Sequence, residues 1–208
     1  MHIEPGFVSS AKIFAANATA IALLASQGAH LIRRPPLIVR TVLASIFFSI
    51  FMQLFHVPAG PSELHFVGAM PIYLARGFIP TLFGFALGPL LQGLLFNPAD
   101  LVHLGVNALS LIVPLCMVHA TLGRRLQNLD VRTIIKLDAA YYSGVTLMVG
   151  FWLAIGEVAT PLAAWATFAA AYGALVIVEP LFSWLVLRTL ARVKGHAAVR
   201  FCFDLRLA

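Results

Sequence analysis

Residues 101–122, LVHLGVNALSLIVPLCMVHATL, form the stretch that decides the fold class. The stretch contains no Asp, Glu, Lys or Arg, and most of its side chains are apolar. As a helix with a rise of about 1.5 Å per residue it would be about 33 Å long, which matches the roughly 30 Å hydrocarbon core of a bilayer. The sequence therefore predicts a transmembrane helix at 101–122.

Five other long apolar runs repeat this pattern along the chain. They lie at residues 7–26, 37–55, 78–96, 133–155 and 162–187. A shorter apolar segment at 65–75 ends before Arg76 and Gly77 and is too short to cross a bilayer as a straight helix. We therefore expect an all-α integral membrane protein with about six to seven transmembrane helices, one of them short or re-entrant.

The composition agrees with this class. Of the 208 residues, 61% are hydrophobic and 11% are charged, whereas a soluble domain carries about 25% charged residues. A membrane β-barrel would instead show alternating segments of about ten residues. No linker or repeat divides the chain, so we expect residues 1–208 to form one transmembrane domain.

The positions of the basic residues predict the orientation of the chain. Cytoplasmic loops of membrane proteins are rich in Lys and Arg. If the N-terminus lies outside and the C-terminus is cytoplasmic, only Lys12 of the 14 basic residues falls outside. The other thirteen are Arg33, Arg34, Arg40, Arg76, Arg124, Arg125, Arg132, Lys136, Arg188, Arg192, Lys194, Arg200 and Arg206. We expect a multi-pass membrane protein with a basic cytoplasmic tail at 188–208.

The net charge of +6 follows from this topology and does not indicate nucleic-acid binding, because the basic residues lie in short clusters between apolar runs. Cys116 lies in an apolar run and Cys202 in the tail, so neither is expected in an external disulfide. The first apolar run lacks a basic segment before it and a small-residue cleavage site, so we expect the mature chain to begin at residue 1.

The opening residues 1–7, MHIEPGF, can form a metal-binding N-terminus at residues 1–6. The free amine of Met1, the backbone nitrogen of His2 and the His2 imidazole Nδ1 close a five-membered and a six-membered chelate ring. These three nitrogens lie in one plane and leave one planar position open. Square-planar nitrogen donors suit Ni(II) or Cu(II).

The fourth donor is expected to be a second imidazole on the outer side. His65 is the first candidate because it opens the short apolar segment after the external loop, and His56 in that loop is the reserve candidate. The remaining histidines other than His103 are expected on the cytoplasmic side; they are His30, His119 and His196.

Polar side chains inside the predicted spans need partners, because lipid offers them none. Gln92 and Asn107 therefore either join neighbouring helices or orient a ligand histidine, and His103 is a further candidate for that supporting role. Glu179 lies deep in the last span, where a carboxyl group is a functional candidate, although a protonated or paired structural group is the expectation here.

Two other sequence features concern partners and energy. Small residues on the first helix, namely Ala11, Ala15, Ala16 and Ala20, suit close packing against a neighbouring helix or a partner protein. The chain has no G-x-x-x-x-G-K-[ST], so energy from ATP would come from another subunit. It also lacks H-E-x-x-H and G-x-S-x-G, and we expect a transport component without enzymatic activity or a catalytic cofactor.

Three stretches resemble one family. Residues 1–7, residues 63–96 (ELHFVGAMPIYLARGFIPTLFGFALGPLLQGLLF) and residues 101–115 (LVHLGVNALSLIVPL) are similar to CbiM/NikM-type proteins. These are the substrate-capture membrane components of cobalt and nickel energy-coupling-factor transporters. The second region resembles the family at four positions, His65, Gly68, Gly77 and Gln92. The third region resembles it at the Gly-x-Asn at 105–107.

The resemblance implies that Ni²⁺ or Co²⁺ is the transported substrate, held by the Met1 amine, the His2 backbone nitrogen and imidazole, and the His65 imidazole. It implies a transmembrane coupling component and a pair of cytoplasmic ATPases as partners, with a small accessory membrane subunit common in cobalt systems. The first helix is then a candidate docking surface.

Two alternatives remain open at the level of sequence. One is a membrane haem or redox protein that uses His103 and His119, although sixteen residues separate them. The other is a capture component for an organic micronutrient, which would need a larger polar pocket.

Overall fold

The computed structural model describes residues 6–59, 62–126 and 129–205, and only the backbone at 56–59 and 62–63. Its helices are α1 (Ser10–Ile32), α2 (Pro35–Leu54), α3 (Ala69–Arg76), α4 (Phe78–Leu95), α5 (Leu104–Thr121), α6 (Val131–Ala154), α7 (Leu162–Val193) and α8 (Ala197–Cys202). Short 3-10 helices at Pro98–His103 and Gly123–Arg125 flank α5. The all-α fold class is confirmed.

Two short strands were not predicted. Strands β1 (His56–Ala59) and β2 (Ser62–His65) pair as an antiparallel hairpin in the segment predicted as an external loop. The segment predicted as a helix at 65–75 therefore begins as a strand, and α3 starts only at Ala69. Gly68 before it has a φ of 61°, a left-handed conformation that glycine adopts without steric cost and that stops the helix from starting earlier.

Four helical segments in the described part are long and apolar enough to cross a membrane by length and composition. They are Pro35–Leu54, Phe78–Leu95, Pro98–Arg125 and Leu162–Val193. Helices α1 and α6 are also long, with 23 and 24 residues, but carry more polar side chains. Helix α7 extends to Val193, so the first part of the predicted tail at 188–208 continues this helix.

The bundle has two distinct ends. The hairpin end holds β1 and β2, the start of α1 and the loop between α6 and α7, where the Phe7 carbonyl accepts a hydrogen bond from the Glu157 N–H. The tail end holds the α1–α2 turn, the α3–α4 junction and α8. The described basic residues other than Lys12 lie at or near the tail end, as the charge pattern predicts; Arg206 lies outside the described residues.

The short segment from His65 to Arg76 runs through the bundle interior. His65 contacts Met52 near the end of α2, whereas Arg76 lies at the tail end near Arg40 in the second turn of α2. Those two α2 residues are about 18 Å apart along the helix axis. Helix α3 alone covers about 12 Å, and the non-helical residues 66–68 supply the remaining length.

The last described residues pack against Arg40 and Arg76 at the tail end. Arg76 Nη1 donates to the Cys202 carbonyl at 2.7 Å, and its guanidinium lies 3.9 Å from the centre of the Phe203 ring. Arg40 donates to the carbonyls of Arg200 and Phe201. The tail is therefore held through its backbone against the α3–α4 junction.

Helices α2 and α4 cross closely at two glycines. A Cβ added at Gly84 would lie 2.7 Å from Ala44 Cβ, and one added at Gly88 would collide with the ring of Phe48. Both neighbours on α2 are fully buried. The G-x-x-x-G spacing of Gly84 and Gly88 allows the two backbones to approach, which is a common mode of helix association in membranes.

Candidate metal centre

Met1 and His2, the predicted chelating residues, lie outside the described residues. The start of α1 nevertheless has a defined place at the hairpin end. Lys12 Nζ donates to Glu157 Oε1 and to the Ile155 carbonyl, each at 2.6 Å. Phe7 and the α6–α7 loop are joined by the backbone hydrogen bond described above. The first residues that the structure describes, next to Phe7, therefore lie at the same end of the bundle as His65.

His65 ends strand β2 and is 4% exposed. Its Nδ1 lies 3.1 Å from the carbonyl oxygen of Met52. A carbonyl oxygen only accepts, so Nδ1 carries the proton and Nε2 is the unprotonated nitrogen of the ring. A hydrogen bond from one ring nitrogen to a backbone carbonyl is the usual way in which proteins orient a metal-binding histidine.

Gln92 joins α4 to α2 directly. Its Nε2 donates to the Ser49 carbonyl at 2.5 Å, and Ser49 Oγ donates to the Gly88 carbonyl at 3.2 Å. Met52, the acceptor for His65, lies one turn beyond Ser49 on α2. Gln92 is therefore a residue that joins two helices, and it supports the helix from which His65 is oriented.

The other two supporting candidates lie at the start of α5. His103 is 1% exposed, and neither of its ring nitrogens has a hydrogen-bond partner among the described residues. Asn107 is buried one turn later. Gly105 between them donates its N–H to Asn17 Oδ1 at 2.8 Å, and a Cβ there would collide with α1. The Gly-x-Asn motif thus forms the α1–α5 crossing.

The remaining histidines divide between the two ends of the bundle. The backbone of His56 pairs with that of His65 in the hairpin. His119 lies at the tail end. Its ring stacks on that of Phe78 with the ring centres 3.9 Å apart, and its Nδ1 lies 2.8 Å from the Tyr73 hydroxyl. His103 and His119 are at opposite ends of α5, about 24 Å apart along its axis, so they cannot bind one haem between them.

Glu179 has buried polar neighbours that the sequence analysis did not identify. They include Asp138 and Tyr142 on α6, and both are fully buried. The detectable signal was an aspartate inside the apolar run at 133–155, one turn before a tyrosine. An acidic residue within a membrane span is rare enough to have indicated such a cluster.

Outside the segments that the structure leaves undescribed, no three His, Cys, Asp or Glu side chains come together as a metal site. His65 is therefore the ligand candidate whose geometry is defined here, with its ring oriented by Met52.

Long apolar helices packed as a bundle, with the buried and oriented His65 at the hairpin end, define an all-α integral membrane protein. A family model described as "Cobalt uptake substrate-specific transmembrane region" matches residues 2–197, and the chain belongs to this family, CbiM. The chain is accordingly a transmembrane component of metal uptake, a transport protein with a transition metal as its substrate.

Two solved structures share the fold. A crystal structure of a transition metal transporter aligns with a TM-score of 0.73 and 20% identity over 96% of each chain. A truncated transition metal transporter aligns with a TM-score of 0.72 and 21% identity, over 94% of this chain and 100% of the other. No curated protein matches the sequence.

Proposed function

We propose that this protein captures Ni²⁺ or Co²⁺ at the hairpin end through four nitrogens. These are the Met1 amine, the His2 backbone nitrogen, the His2 imidazole and the His65 imidazole Nε2. The observation that carries the proposal is the contact of His65 Nδ1 with the Met52 carbonyl, because it leaves Nε2 unprotonated and sets the direction of the ring. A square-planar set of nitrogens favours nickel, and the family description names cobalt.

The short chain between Phe7 and residue 1 is long enough to bring the terminus over the hairpin. Phe7 is tied to the α6–α7 loop at this end, and six extended residues reach about 20 Å. His103, just before α5, and Asn107, in its first turn, lie at the same end, and their proposed role is to support the bound segment. The N-terminal residues 1–6 thus act as part of the metal site within the single domain 1–208.

The proposed assembly is an energy-coupling-factor transporter of the bacterial cytoplasmic membrane. The hairpin end faces outside, and the basic tail end faces the cytoplasm. A transmembrane coupling component and an ATPase pair supply the energy, and a small accessory membrane subunit completes the complex.

Helix α1 has small residues on two faces. One face packs inside the bundle, and the other is open to a partner. Ala16 and Ala20 are buried against α5, whereas Ala11 and Ala15 are exposed. The exposed face is the proposed surface for the coupling component, since small residues allow close approach of a partner helix.

The test of this function has a binding arm and an uptake arm. In the binding arm, isothermal titration with NiCl₂ and CoCl₂ compares the full-length protein with a version extended by two residues before Met1. The extension converts the amine to an amide, and we expect affinity to fall by about a hundredfold or more, equivalent to about 2.7 kcal/mol. The same extension placed after Ala208 is the control and should leave affinity unchanged.

The uptake arm uses proteoliposomes with the partner subunits and measures ATP-dependent ⁶³Ni²⁺ accumulation. Ala15→Leu should abolish uptake while metal affinity stays at the wild-type value, because the exposed face contacts the partner and not the metal. Tight binding by the extended protein would refute the amine chelate. Uptake that is unaffected by Ala15→Leu would refute docking on this face.

A further inference from the structure

The carboxylate of Glu179 contacts the start of helix α3 from helix α7. Its Oε1 accepts a hydrogen bond from the Met70 N–H at 2.8 Å, and it also faces the backbone of Ala69. Its other oxygen, Oε2, accepts a hydrogen bond from the Tyr142 hydroxyl. Glu179 is fully buried, so these protein groups replace the water that an exposed carboxylate would bind.

Helix α3 needs such an acceptor because its first N–H groups have no partner within the helix. Gly68 precedes the helix and has no side chain with which to cap it. All eight residues of α3 are buried, so water does not reach this terminus as it would at a surface helix. Glu179 therefore acts as the cap of α3, and its negative charge is favourable beside the positive end of the helix dipole.

Asp138 completes the surroundings of Glu179 from helix α6. The two carboxyl groups face each other, and both side chains are fully buried. No hydrogen-bond donor among the described residues reaches either oxygen of Asp138, whereas Glu179 receives donors on both oxygens. Two adjacent buried carboxylates repel strongly, so one of the pair carries a proton. The donors stabilise the charge on Glu179, and the proton therefore belongs on Asp138.

Helix α7 also reaches the segment at His65. The hydroxyl of Tyr172 approaches the main chain of His65, at a distance or angle outside that of a direct hydrogen bond. Tyr172 and Glu179 are two turns apart on α7, about 10 Å. The chain from His65 to Met70 runs alongside, since α7 contacts both strand β2 and helix α3. Helix α7 thus hydrogen-bonds this segment at Met70 and lies close to it at His65.

We propose that Glu179 is a positioning residue for the metal site. As a carboxylate it fixes the start of α3 and, through the three-residue link, the place of His65, while a neutral Asp138 donates a hydrogen bond to it. The inference rests on the proposed function, because it assigns to Glu179 an effect on a metal bound at His65.

The experiment compares Glu179→Gln with Asp138→Asn in the full-length, detergent-purified protein. Titration with NiCl₂ measures affinity, and the visible d–d absorption of bound Ni²⁺ measures the coordination geometry. Glu179→Gln removes the charge and one of the two acceptor oxygens, and we expect affinity to fall about tenfold to a hundredfold with a shifted absorption. Asp138→Asn keeps a donor toward Glu179, and we expect wild-type affinity within about threefold and an unchanged spectrum.

Tyr172→Phe is the second positioning variant. It is measured alongside Glu179→Gln and replaces it if Glu179→Gln does not fold. It removes the hydroxyl that approaches the His65 main chain, and we expect affinity to fall about threefold, less than for Glu179→Gln, because this contact is not a direct hydrogen bond. Thermal unfolding of each metal-free variant separates loss of fold from loss of positioning.

The outcomes distinguish this inference from the function on which it rests. If the wild-type protein binds neither NiCl₂ nor CoCl₂ tightly, the proposed function is refuted; if it binds only CoCl₂, the same variants are compared with that metal. If the wild-type protein binds and both Glu179→Gln and Tyr172→Phe match its affinity and spectrum, only the positioning role is refuted. If Asp138→Asn weakens binding as much as Glu179→Gln does, the assignment of the proton to Asp138 is wrong.

Discussion

At the scale of single residues, Lys12 explains an exception in the charge pattern. It is the basic residue predicted to lie outside, and the structure places it beside Glu157, with the two side chains 2.6 Å apart. Its ammonium group also donates to the Ile155 carbonyl. An outer lysine is thus compatible with the predicted topology because its charge is paired locally and ties α1 to the α6–α7 loop.

Acidification should loosen this contact. The pKa of Glu157 is lowered from its usual value, first by the hydrogen bond from Lys12 and then by one from Ser9. A carboxyl group with a lower pKa in the folded state stabilises the fold above its unfolded pKa of about 4.3, and this contribution is lost as the pH falls through the folded pKa.

We therefore expect the metal-free protein to have a higher Tm than Glu157→Gln at pH 7, and the two values to converge as the pH falls below about 4. Thermal unfolding of both proteins between pH 7 and pH 3 measures this difference. A difference in Tm that stays the same from pH 7 to pH 3 would show that the charge of Glu157 contributes nothing to stability.

His65 shows what could be predicted at the residue scale and what could not. Its choice as a ligand candidate followed from its place after the external loop, with Gly68 three residues on. Its tautomer could not be predicted, because the acceptor is the backbone of Met52, which contributes no side-chain signal. The neighbours of Glu179 come from α3 and α6, distant in sequence; an aspartate inside the apolar run at 133–155 indicated a buried polar cluster, but not that Glu179 belongs to it.

At the scale of helices and strands, the long apolar helices were predicted and the hairpin was not. Helices are recognised by the length of an apolar run, which lipid imposes on the sequence directly. The hairpin at β1 and β2 has only four residues in each strand, and both strands contact α7, which is distant in sequence. Such short strands have little intrinsic stability, so the sequence alone did not indicate them.

The α2–α4 crossing provides a test of element packing. Gly88→Ala would place a methyl group against the fully buried ring of Phe48, and we expect a loss of about 1–3 kcal/mol of stability from overpacking. Gly173→Ala on α7 meets nothing within 4 Å and is the matched control. It should leave stability unchanged or raise it by up to about 1 kcal/mol, because alanine favours the helix.

Thermal unfolding in detergent compares the two glycine variants with the wild-type protein. Equal midpoints for Gly88→Ala and Gly173→Ala would mean that α2 and α4 do not approach closely at this crossing.

At the scale of the whole molecule, the charges divide between the two ends of the bundle. Basic side chains gather around the tail end, where a cavity of about 540 Å³ is lined by residues that include Arg34, Arg40, Arg76 and Arg124. The hairpin end carries Asp100 and Glu157. This asymmetry predicts that the tail end is cytoplasmic.

Cysteine labelling tests the orientation in intact cells. With Cys116 and Cys202 replaced by Ser, Val158→Cys reports the hairpin end and Gly195→Cys the tail end, both at exposed positions. A membrane-impermeant maleimide should label position 158 in intact cells and position 195 only after permeabilisation. The reverse pattern would show that the hairpin end is cytoplasmic.

The fold class, the approximate spans, the charge asymmetry and the family could be predicted from the amino-acid sequence. Each depends on local features, because lipid requires continuous apolar runs and membrane topology depends on the charges near their ends. The course of the chain from His65 to Arg76 inside the bundle, and the capping of α3 by Glu179, are evident only in three dimensions. Those arrangements depend on buried polar groups from distant helices finding one another, since the apolar interior offers them no water.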